Sequence, residues 1–301
     1  MNTPKRIGLI GPGLMGHGIS KNIIEKGYPL AVLGHRNRTP VEDLLQRGAT
    51  EVSSAKELAQ QTDMVILCLT GSTQVEEIVY SENGLLAGMH DGLIIADATT
   101  AEPQSTVKVA AKIHSAGGYY VDIPMTRSAK EAEAGTLGLM TGGDPKVLET
   151  IRPILDCFAD TIVYAGDVGA AHKLKLINNF LSLGHAALAA EAICAAAKAD
   201  VDLQALHDIV LSGGANSVMF SRVMNVALND DDTQQQFSID NARKDLRYYT
   251  NMTEMTPSSS FIAETIHQSY ILAVNHGYGD RFIPRMLDLM GQLNGVEVRK
   301  K

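Results

Sequence analysis

A chain of 301 residues is too long for one small module, and a formal net charge of −8 argues against broad binding to nucleic acids or anionic membranes. Hydrophobic residues make up 45% of the chain and charged residues 20%, a balance that excludes disordered, collagen-like and coiled-coil proteins. We therefore expect one large or two ordinary globular domains.

The cysteines and the distribution of apolar residues indicate the cellular compartment of the protein. The chain has three cysteines, Cys68, Cys157 and Cys194, and none is part of a C-x-x-C motif, which is typical of a reducing environment. The N-terminal residues offer no apolar leader, and the most apolar long stretch, residues 181–197, contains a histidine and a glutamate. The sequence therefore predicts a soluble, cytoplasmic protein that neither spans nor binds a membrane.

The first half of the chain alternates strand-like and helix-like segments. Apolar runs of strand length lie at 7–10, 30–33, 64–69, 93–96 and 119–121, with 137–141 and 161–164 as further candidates. Helical patterns lie between them at 16–26, 41–47, 54–60 and 105–115. This alternation predicts a doubly wound, mostly parallel α/β sheet with helices on both faces.

The second half has a different character. Residues 170–198 contain no proline and carry apolar residues at helical spacing, which predicts one long helix connecting two domains. Further helical patterns follow up to residue 292, with breaks at 212–216, 229–235, 256–259 and 277–280. We therefore expect an α/β domain over residues 1–168 and an all-helical domain over residues 169–301.

A glycine-rich turn follows the first strand-like run directly, with the sequence GPGLMG. Between a strand and a helix, this spacing is the fingerprint of a Rossmann-type dinucleotide site. Gly11 permits the tight turn, Gly13 lets a pyrophosphate approach the backbone, and Gly16 allows close packing of the helix on the strand. Leu14 and Met15 lie at the helix start, whose amides favour the anion. We assign all five residues to cofactor binding; the alternative is a glycine-rich turn that binds no ligand.

The residues after the second strand-like run bear on the choice between NADP(H) and NAD(H). NAD-type sites place an acidic residue there, but this chain has Arg36, Asn37 and Arg38, and no acid before Glu42. The two arginines suit a 2′-phosphate, so the sequence favours NADP(H), with NAD(H) left open. The alternative is that these arginines only make the loop soluble.

Four segments in order resemble the β-hydroxyacid dehydrogenase family and together cover nearly the whole chain. They are GPGLMGHGISKN (Gly11–Asn22), DATT (Asp97–Thr100), the stretch Asp122–Gly143 beginning DIPMTRS, and KLINN (Lys175–Asn179). Lys244 opens a K-D-L element that is also similar to one in the family. The first segment departs from the family pattern at Pro12 and Ile19, without loss of a glycine.

The resemblance implies a site beyond the glycine turn. It places Thr100 beside the nicotinamide and brings Lys244 to the cofactor. Leu69, at the end of the run 64–69, and Thr70, directly after it, are assigned to the same cofactor site. The resemblance also makes Lys175 the general acid and base of the reaction.

A lysine suits this chemistry because reducing a carbonyl leaves an oxyanion that must receive a proton. Asn179 follows Lys175 by one helical turn on the same face, so its amide can orient both the lysine and the substrate hydroxyl. Asn178 points about 100° away and is assigned to the substrate or to helix packing. The alternative for Lys175 is an ordinary solvated helix lysine, as we expect for Lys173.

The chain departs from the family where much of the family has S-G-G. Here it has Thr126, Arg127 and Ser128, and an arginine there could hold a carboxylate, sulfonate or phosphate on the substrate. The alternative is an arginine that faces solvent or pairs with Glu131 or Glu133.

These observations predict an NAD(P)-dependent dehydrogenase or semialdehyde reductase of class EC 1.1.1.-, acting on a small anionic hydroxyacid or aldehyde. We expect no metal, because the nine histidines show no ligand spacing, and no nucleic-acid partner. The resemblance implies a homodimer or homotetramer. Alternatives are a sulfonate-aldehyde or imine reductase on the same fold, or a non-catalytic dinucleotide-binding protein.

Overall fold

The computed structural model describes residues 3–299, and the chain divides into two compact units between Lys175 and Leu176. The division lies inside a single long helix, whereas the sequence places the domain boundary just before that helix, between residues 168 and 169. We describe the two units separately.

The first unit is built on a nine-stranded sheet. Its strands are β1 (Ile7–Ile10), β2 (Leu30–Leu33), β3 (Thr50–Val52), β4 (Met64–Leu67), β5 (Ile94–Asp97), β6 (Tyr119–Asp122), β7 (Met125–Thr126), β8 (Leu137–Gly142) and β9 (Ala159–Gly166). The spatial order is β3-β2-β1-β4-β5-β6-β8-β7, with β9 beside β8. From β3 to β6 all neighbours are parallel, whereas β8 runs antiparallel to β6 and β7.

Helices cover both faces of this sheet. They are α1 (Leu14–Glu25), α2 (Thr39–Gln46), α3 (Ala55–Gln61), α4 (Ser72–Tyr80), α5 (Pro103–Ser115), α6 (Ala129–Ala134) and α7 (Pro145–Leu155). The neighbouring residues Leu9 and Ile10 point to opposite faces, each into a separate buried cluster. Leu9 packs in a cluster with residues of α1, α2 and α7, and Ile10 in one with residues of α3, α4 and α5. The prediction of a doubly wound, mainly parallel sheet is confirmed.

The long helix α8 (Ala170–Lys198) has the predicted limits and is followed by five more helices. These are α9 (Leu203–Leu211), α10 (Val218–Asn229), α11 (Ile239–Met255), α12 (Phe261–Asn275) and α13 (Met286–Asn294). The second unit has its own core, in which residues such as Ile193, Val223 and Leu246 are fully buried. Each predicted break in the helical pattern lies at a junction between two of these helices.

Some short elements have no clear apolar pattern and are not predicted from the sequence. Strand β3 is three residues long with two of them exposed, and β7 has only two residues. The predicted strand over 64–69 ends at Leu67, because the amide of Leu69 turns to the Thr99 hydroxyl at 3.1 Å. Helices α4 and α7 were also not predicted.

Helix α8 is long and apolar enough to cross a membrane by length and composition alone, the one such helix within residues 3–299. A helix from the interior of a soluble protein meets the same test. The buried polar side chains of His172 and Asn179 are both hydrogen-bonded to other parts of the protein. These bonds favour an interior helix, because lipid-facing polar groups would lack such partners.

Candidate active site

The turn between β1 and α1 has room for glycine alone at two positions. Gly11 has a φ of 93°, and a Cβ there would lie 2.2 Å from the carbonyl oxygen of Cys68. A Cβ on Gly16 would lie 2.1 Å from the carbonyl oxygen of Gly11. Both distances are far below van der Waals contact, so the backbone itself fills the space that a side chain would need.

Gly13 lies in the opposite situation, because a Cβ there would meet nothing within 4 Å. It is the N-cap of α1, and no side chain caps this helix start. Leu14 is 60% exposed, whereas Met15 packs partly against the core. The turn therefore presents uncapped backbone amides to open space, a cradle that fits the pyrophosphate of a dinucleotide.

The loop after β2 carries the three residues that we assign to the adenosine end of the cofactor. Arg36, Asn37 and Arg38 are all exposed. Arg38 is already engaged, since its Nη1 and Nη2 lie 2.6 and 2.8 Å from the carboxylate oxygens of Glu51 on β3. Hydrogen bonding from Arg38 holds the pKa of Glu51 below its usual value. A 2′-phosphate would therefore compete with Glu51 for Arg38, but not for Arg36.

A buried network organises the loops at the carboxyl ends of β4 and β5. Asp97 accepts hydrogen bonds from the backbone amide of Thr99 at 2.9 Å and from the hydroxyl of Tyr120 at 2.6 Å. Burial, together with Asp97, raises the pKa of Tyr120 well above its usual value. The Thr99 hydroxyl in turn accepts from Leu69, which precedes Thr70. Thr100 thus follows Thr99, whose amide and hydroxyl are both hydrogen-bonded. The loop lies at the carboxyl ends of the strands, where such folds bind ligands.

The start of α8 is held by a carboxylate from the end of β6. Asp122 is fully buried, and it accepts hydrogen bonds from the amides of Gly169 at 2.8 Å and His172 at 2.9 Å. These amides belong to the helix start, where no intrahelical acceptor exists. Asp122 therefore acts as an N-cap supplied by a strand.

The ring of His172 connects α8 to the segment that carries Thr100. Its Nε2 lies 2.9 Å from the carbonyl oxygen of Thr99, and its Nδ1 lies 2.7 Å from the hydroxyl of Thr106 on α5. A carbonyl only accepts, so Nε2 carries a hydrogen. The sequence alone marks neither His172 nor Asp122 as a site residue, although Asp122 opens one of the four family-like segments.

The predicted catalytic residues lie on the turns of α8 that follow His172. Lys175 is half-buried, whereas Lys173 is exposed. Asn178 is also half-buried, and its amide nitrogen lies 3.4 Å from the side-chain oxygen of Asn179. The helix is continuous over these residues, so Lys175 and Asn179 share a face as predicted.

Asp245 is a residue that sequence reasoning missed. The amide nitrogen of Asn179 donates to its Oδ2 at 2.6 Å, and Nζ of Lys244 lies 3.1 Å from its Oδ1. Asp245 is buried, with 1% of its surface exposed, so these two partners compensate a charge that would otherwise be costly to bury. The K-D-L element includes Asp245, but its resemblance to the family marks only the lysine as a site residue.

The segment predicted to bind the substrate anion leads from β7 into α6. Arg127 has a φ of 78°, a left-handed conformation that favours glycine, which explains why glycine suits this position. Its guanidinium lies 2.8 Å from both oxygens of Asp160 and also contacts Thr136 and Thr161. Arg127 is therefore ion-paired, but not with either of the two glutamates considered from the sequence.

The neighbours of Arg127 are also engaged. The hydroxyl of Ser128 donates to Glu131 at 2.6 Å in a capping box that begins α6, while Thr126 pairs with Gly138 on β8. The segment is thus held at several points before any ligand binds. Within residues 3–299 there is no group of three or more His, Cys, Asp or Glu side chains arranged to hold a metal ion.

Comparisons with known proteins cover both units. Residues 6–166 match the family described as the NAD binding domain of 6-phosphogluconate dehydrogenase. Residues 169–290 match the family described as NAD-binding of NADP-dependent 3-hydroxyisobutyrate dehydrogenase.

Individual relatives agree with these matches. The chain is 31% identical to 3-sulfolactaldehyde reductase of Escherichia coli over 243 residues, covering 80% of each protein. It is 30% identical to 2-hydroxy-3-oxopropionate reductase of Escherichia coli, covering 70% of this chain and 72% of the relative. The crystal structure of 3-hydroxyisobutyrate dehydrogenase from Salmonella typhimurium superposes with a TM-score of 0.84 at 25% identity, covering 94% of this chain and 99% of that one. With the glycine cradle and the ordered K-x-x-N-N helix, these matches show that the chain is an NAD(P)-binding oxidoreductase of the β-hydroxyacid dehydrogenase family.

Proposed function

We propose that this protein is an NADP(H)-preferring oxidoreductase that interconverts a small anionic β-hydroxyacid and its aldehyde or ketone. The observation that carries the proposal is the bonding of the first turn of α8 to the loop after β5. Through His172 and Asp122, the backbone one turn before Lys175 is fixed relative to Thr99 and hence to Thr100. A proton donor and a proposed nicotinamide contact are thereby held on one rigid support.

Each residue then has a defined task. The bound cofactor supplies or accepts a hydride. Lys175 donates a proton to the oxygen of the substrate carbonyl, and it takes up a proton from the hydroxyl in the reverse direction. Asn179, whose amide is oriented by Asp245, fixes the substrate oxygen next to the lysine. Lys244 is proposed as a further contact of the cofactor, as its family-like K-D-L element implies.

The anion of the substrate is proposed to bind at Thr126, Arg127 and Ser128, with Asn178 as a further contact. Names of relatives support small anionic aldehydes as the class, since one relative is a sulfolactaldehyde reductase and another a 2-hydroxy-3-oxopropionate reductase. We propose a cytoplasmic homodimer or homotetramer. Apolar side chains exposed along α8 support self-association: Ile177, Leu181 and Leu188.

The test is an assay that follows NADPH oxidation with a panel of small aldehydes, with NADH in parallel. The panel contains succinic, tartronic and methylmalonic semialdehydes and sulfolactaldehyde, with an uncharged aldehyde of similar size as the control. Turnover of an anionic aldehyde but not of the neutral one is the expected result. Binding of NADPH without turnover of any aldehyde would favour the non-catalytic alternative.

Arg127 gives a prediction about the substrate anion. We expect Arg127→Gly to raise KM for the anionic aldehyde by about 10-fold or more with little change in kcat, because hydrogen bonds between charged groups contribute about 1.5–3 kcal/mol. Glycine also tolerates the left-handed backbone at this position, so the variant should fold normally. Steady-state kinetics with the best substrate of the panel measures the effect.

The matched variant is Asp160→Asn, which removes the competing partner of Arg127. Exposed ion pairs are weak and screened by solvent, so the pair competes only modestly for Arg127 and we expect KM to fall by up to about fivefold. If Arg127 only anchors its own loop, Asp160→Asn will leave KM unchanged or raise it. That outcome would remove Arg127 from the proposed anion site.

Cofactor preference gives another prediction. We expect Arg36→Ala to raise KM for NADPH by about 10-fold or more while KM for NADH changes little, because only NADPH carries the 2′-phosphate. Arg38→Ala should have a smaller effect, since Arg38 is paired with Glu51. Equal losses with both cofactors would show that Arg36 does not read the 2′-phosphate.

A further inference from the structure

A histidine on the helix that begins at the glycine turn is held by two other helices. Nδ1 of His17 on α1 lies 2.6 Å from Oε1 of Glu133 on α6, and its Nε2 lies 2.8 Å from Oδ2 of Asp43 on α2. Ionised carboxylates only accept hydrogen bonds, so both ring nitrogens must donate. The arrangement is therefore that of a protonated imidazolium between two carboxylates.

The three helices joined in this way each begin at one of the proposed binding loops. Helix α1 begins in the glycine turn, α2 follows the Arg36–Arg38 loop, and α6 follows the Thr126–Ser128 segment. The first two loops are assigned to the cofactor and the third to the substrate. A single side chain thus connects the three helices that follow these loops.

Helices α1 and α6 are also in direct backbone contact, which fixes the position of Glu133 relative to His17. A Cβ on Gly18 would lie 2.5 Å from the carbonyl carbon of Ala132. The amide nitrogen of Asn22 donates to the carbonyl of Ala132 at 2.9 Å, and Nζ of Lys21 donates to the carbonyl of Glu133 at 3.0 Å. These bonds do not depend on the charge of His17, whereas the carboxylate bonds do.

The charges around His17 come from all three helices, while β1 and β2 behind α1 contribute no titratable groups. The charged neighbours are Lys21 and Glu25 on α1, Asp43 and Arg47 on α2, and Glu133 on α6. Three carboxylates therefore face two permanent cations. The imidazolium completes the balance, and its deprotonation leaves an excess negative charge between the helices.

We propose that protonated His17 is a positioning residue that holds the two cofactor loops and the substrate segment in their binding geometry, so that loss of its proton weakens NADP(H) binding. This inference rests on the proposed function of those loops. His17 itself directly follows the GPGLMG motif and is not among the residues assigned to the cofactor or the substrate. Its effect is exerted through α2 and α6.

The direction of the pH effect follows from the balance of forces on the ring. Burial opposes protonation of His17, but hydrogen bonds to Glu133 and Asp43 outweigh it and raise its pKa above the ordinary value of 6.5. The pKa of Asp43 is lowered by hydrogen bonds from Arg47 and His17. The contribution of His17 to stability is therefore complete below pH 6.5 and is lost as pH rises through the raised pKa of the folded state.

The charge of His17 can be measured without any ligand. Long-range ¹H–¹⁵N correlation spectra of the free protein distinguish an imidazolium from either neutral tautomer. We expect the His17 signals to show two protonated nitrogens at neutral pH. In Glu133→Gln or Asp43→Asn one carboxylate remains. If that carboxylate still binds the ring, His17 should lose its proton at a higher pH than an unpaired histidine. A neutral ring at neutral pH in the unmodified protein would overturn the inference.

The positioning role is tested by the dissociation constant for NADPH, from its fluorescence, between about pH 5 and about pH 9, where histidines titrate. We expect binding to weaken about threefold to tenfold as His17 loses its proton, the scale of one charge-assisted hydrogen bond that is partly exposed. His17→Gln should bind weakly even at low pH and should lack this step. His114→Gln, an exposed histidine on α5, is the matched control and should keep it.

Two further outcomes separate this inference from the proposed function. If His17→Gln keeps the full pH step, the step arises elsewhere and His17 has no positioning role. If the unmodified protein fails to bind NADPH at any pH, the proposed cofactor site is wrong, and the inference that rests on it is wrong too. The spectra would still report the charge of His17 in that case.

Discussion

Replacing Lys175 with methionine is expected to lower kcat by about 10²–10⁴-fold, the contribution typical of a general acid or base. Methionine has a similar length and fills the half-buried position, but it cannot donate a proton. The dissociation constant for NADPH should change little, because the role proposed for the lysine is at the substrate oxygen. Steady-state kinetics and a fluorescence titration of NADPH measure the two quantities.

The matched control is Lys173→Met, two residues earlier on the same helix. Lys173 is exposed and lies on another face of α8, so its replacement should leave kcat unchanged. If both variants lose activity alike, the loss reflects damage to the helix. Full activity of Lys175→Met would remove this residue from the catalytic role.

Replacing Asp122 with alanine is expected to lower the free energy of unfolding by about 2–6 kcal/mol, because each of two buried amides left without an acceptor costs about 1–3 kcal/mol. These are the amides of Gly169 and His172 at the start of α8. Urea denaturation of the intact protein measures the change. We also expect kcat to fall, since the turn that precedes Lys175 loses its anchor.

Asp144→Ala is the comparison for this variant, since Asp144 caps the exposed start of α7 and accepts from the amide of Lys146. Loss of such an exposed cap costs about 1 kcal/mol. Asp122→Asn keeps one side-chain acceptor and should lie between the two. If Asp122→Ala costs no more than Asp144→Ala, then Asp122 does not anchor the start of α8.

The sequence predicts those parts of the protein whose structure depends on residues close together in the chain. Strand β1 is a continuous run of buried apolar residues, and the helix over 170–198 has no proline, so pattern alone gives the limits of both. The glycine turn is equally local, since its three glycines and the following helix lie within a few residues. The family matches and the sheet topology agree with these predictions.

Partners across long sequence separations could not be predicted. Arg127 pairs with Asp160, which lies 33 residues away, and no pattern in either segment indicates the contact. The same limit applies to Asp245, 66 residues from Asn179, and to His172, 73 residues from Thr99. In each case the fold, rather than the local sequence, decides which polar groups meet inside the protein.

Gly18 affects the stability of helix α1, which begins at the glycine turn. With Gly16 it places two glycines near the start of α1, and each lowers intrinsic helix stability by about 1 kcal/mol relative to alanine. The helix gains in return the close approach of α6, whose backbone occupies the space of the missing side chain. A peptide of α1 alone would therefore be largely unfolded in water. Packing of α6 against Gly18 therefore stabilises the helix that begins at the glycine turn, and links the stability of that turn to that of the segment leading into α6.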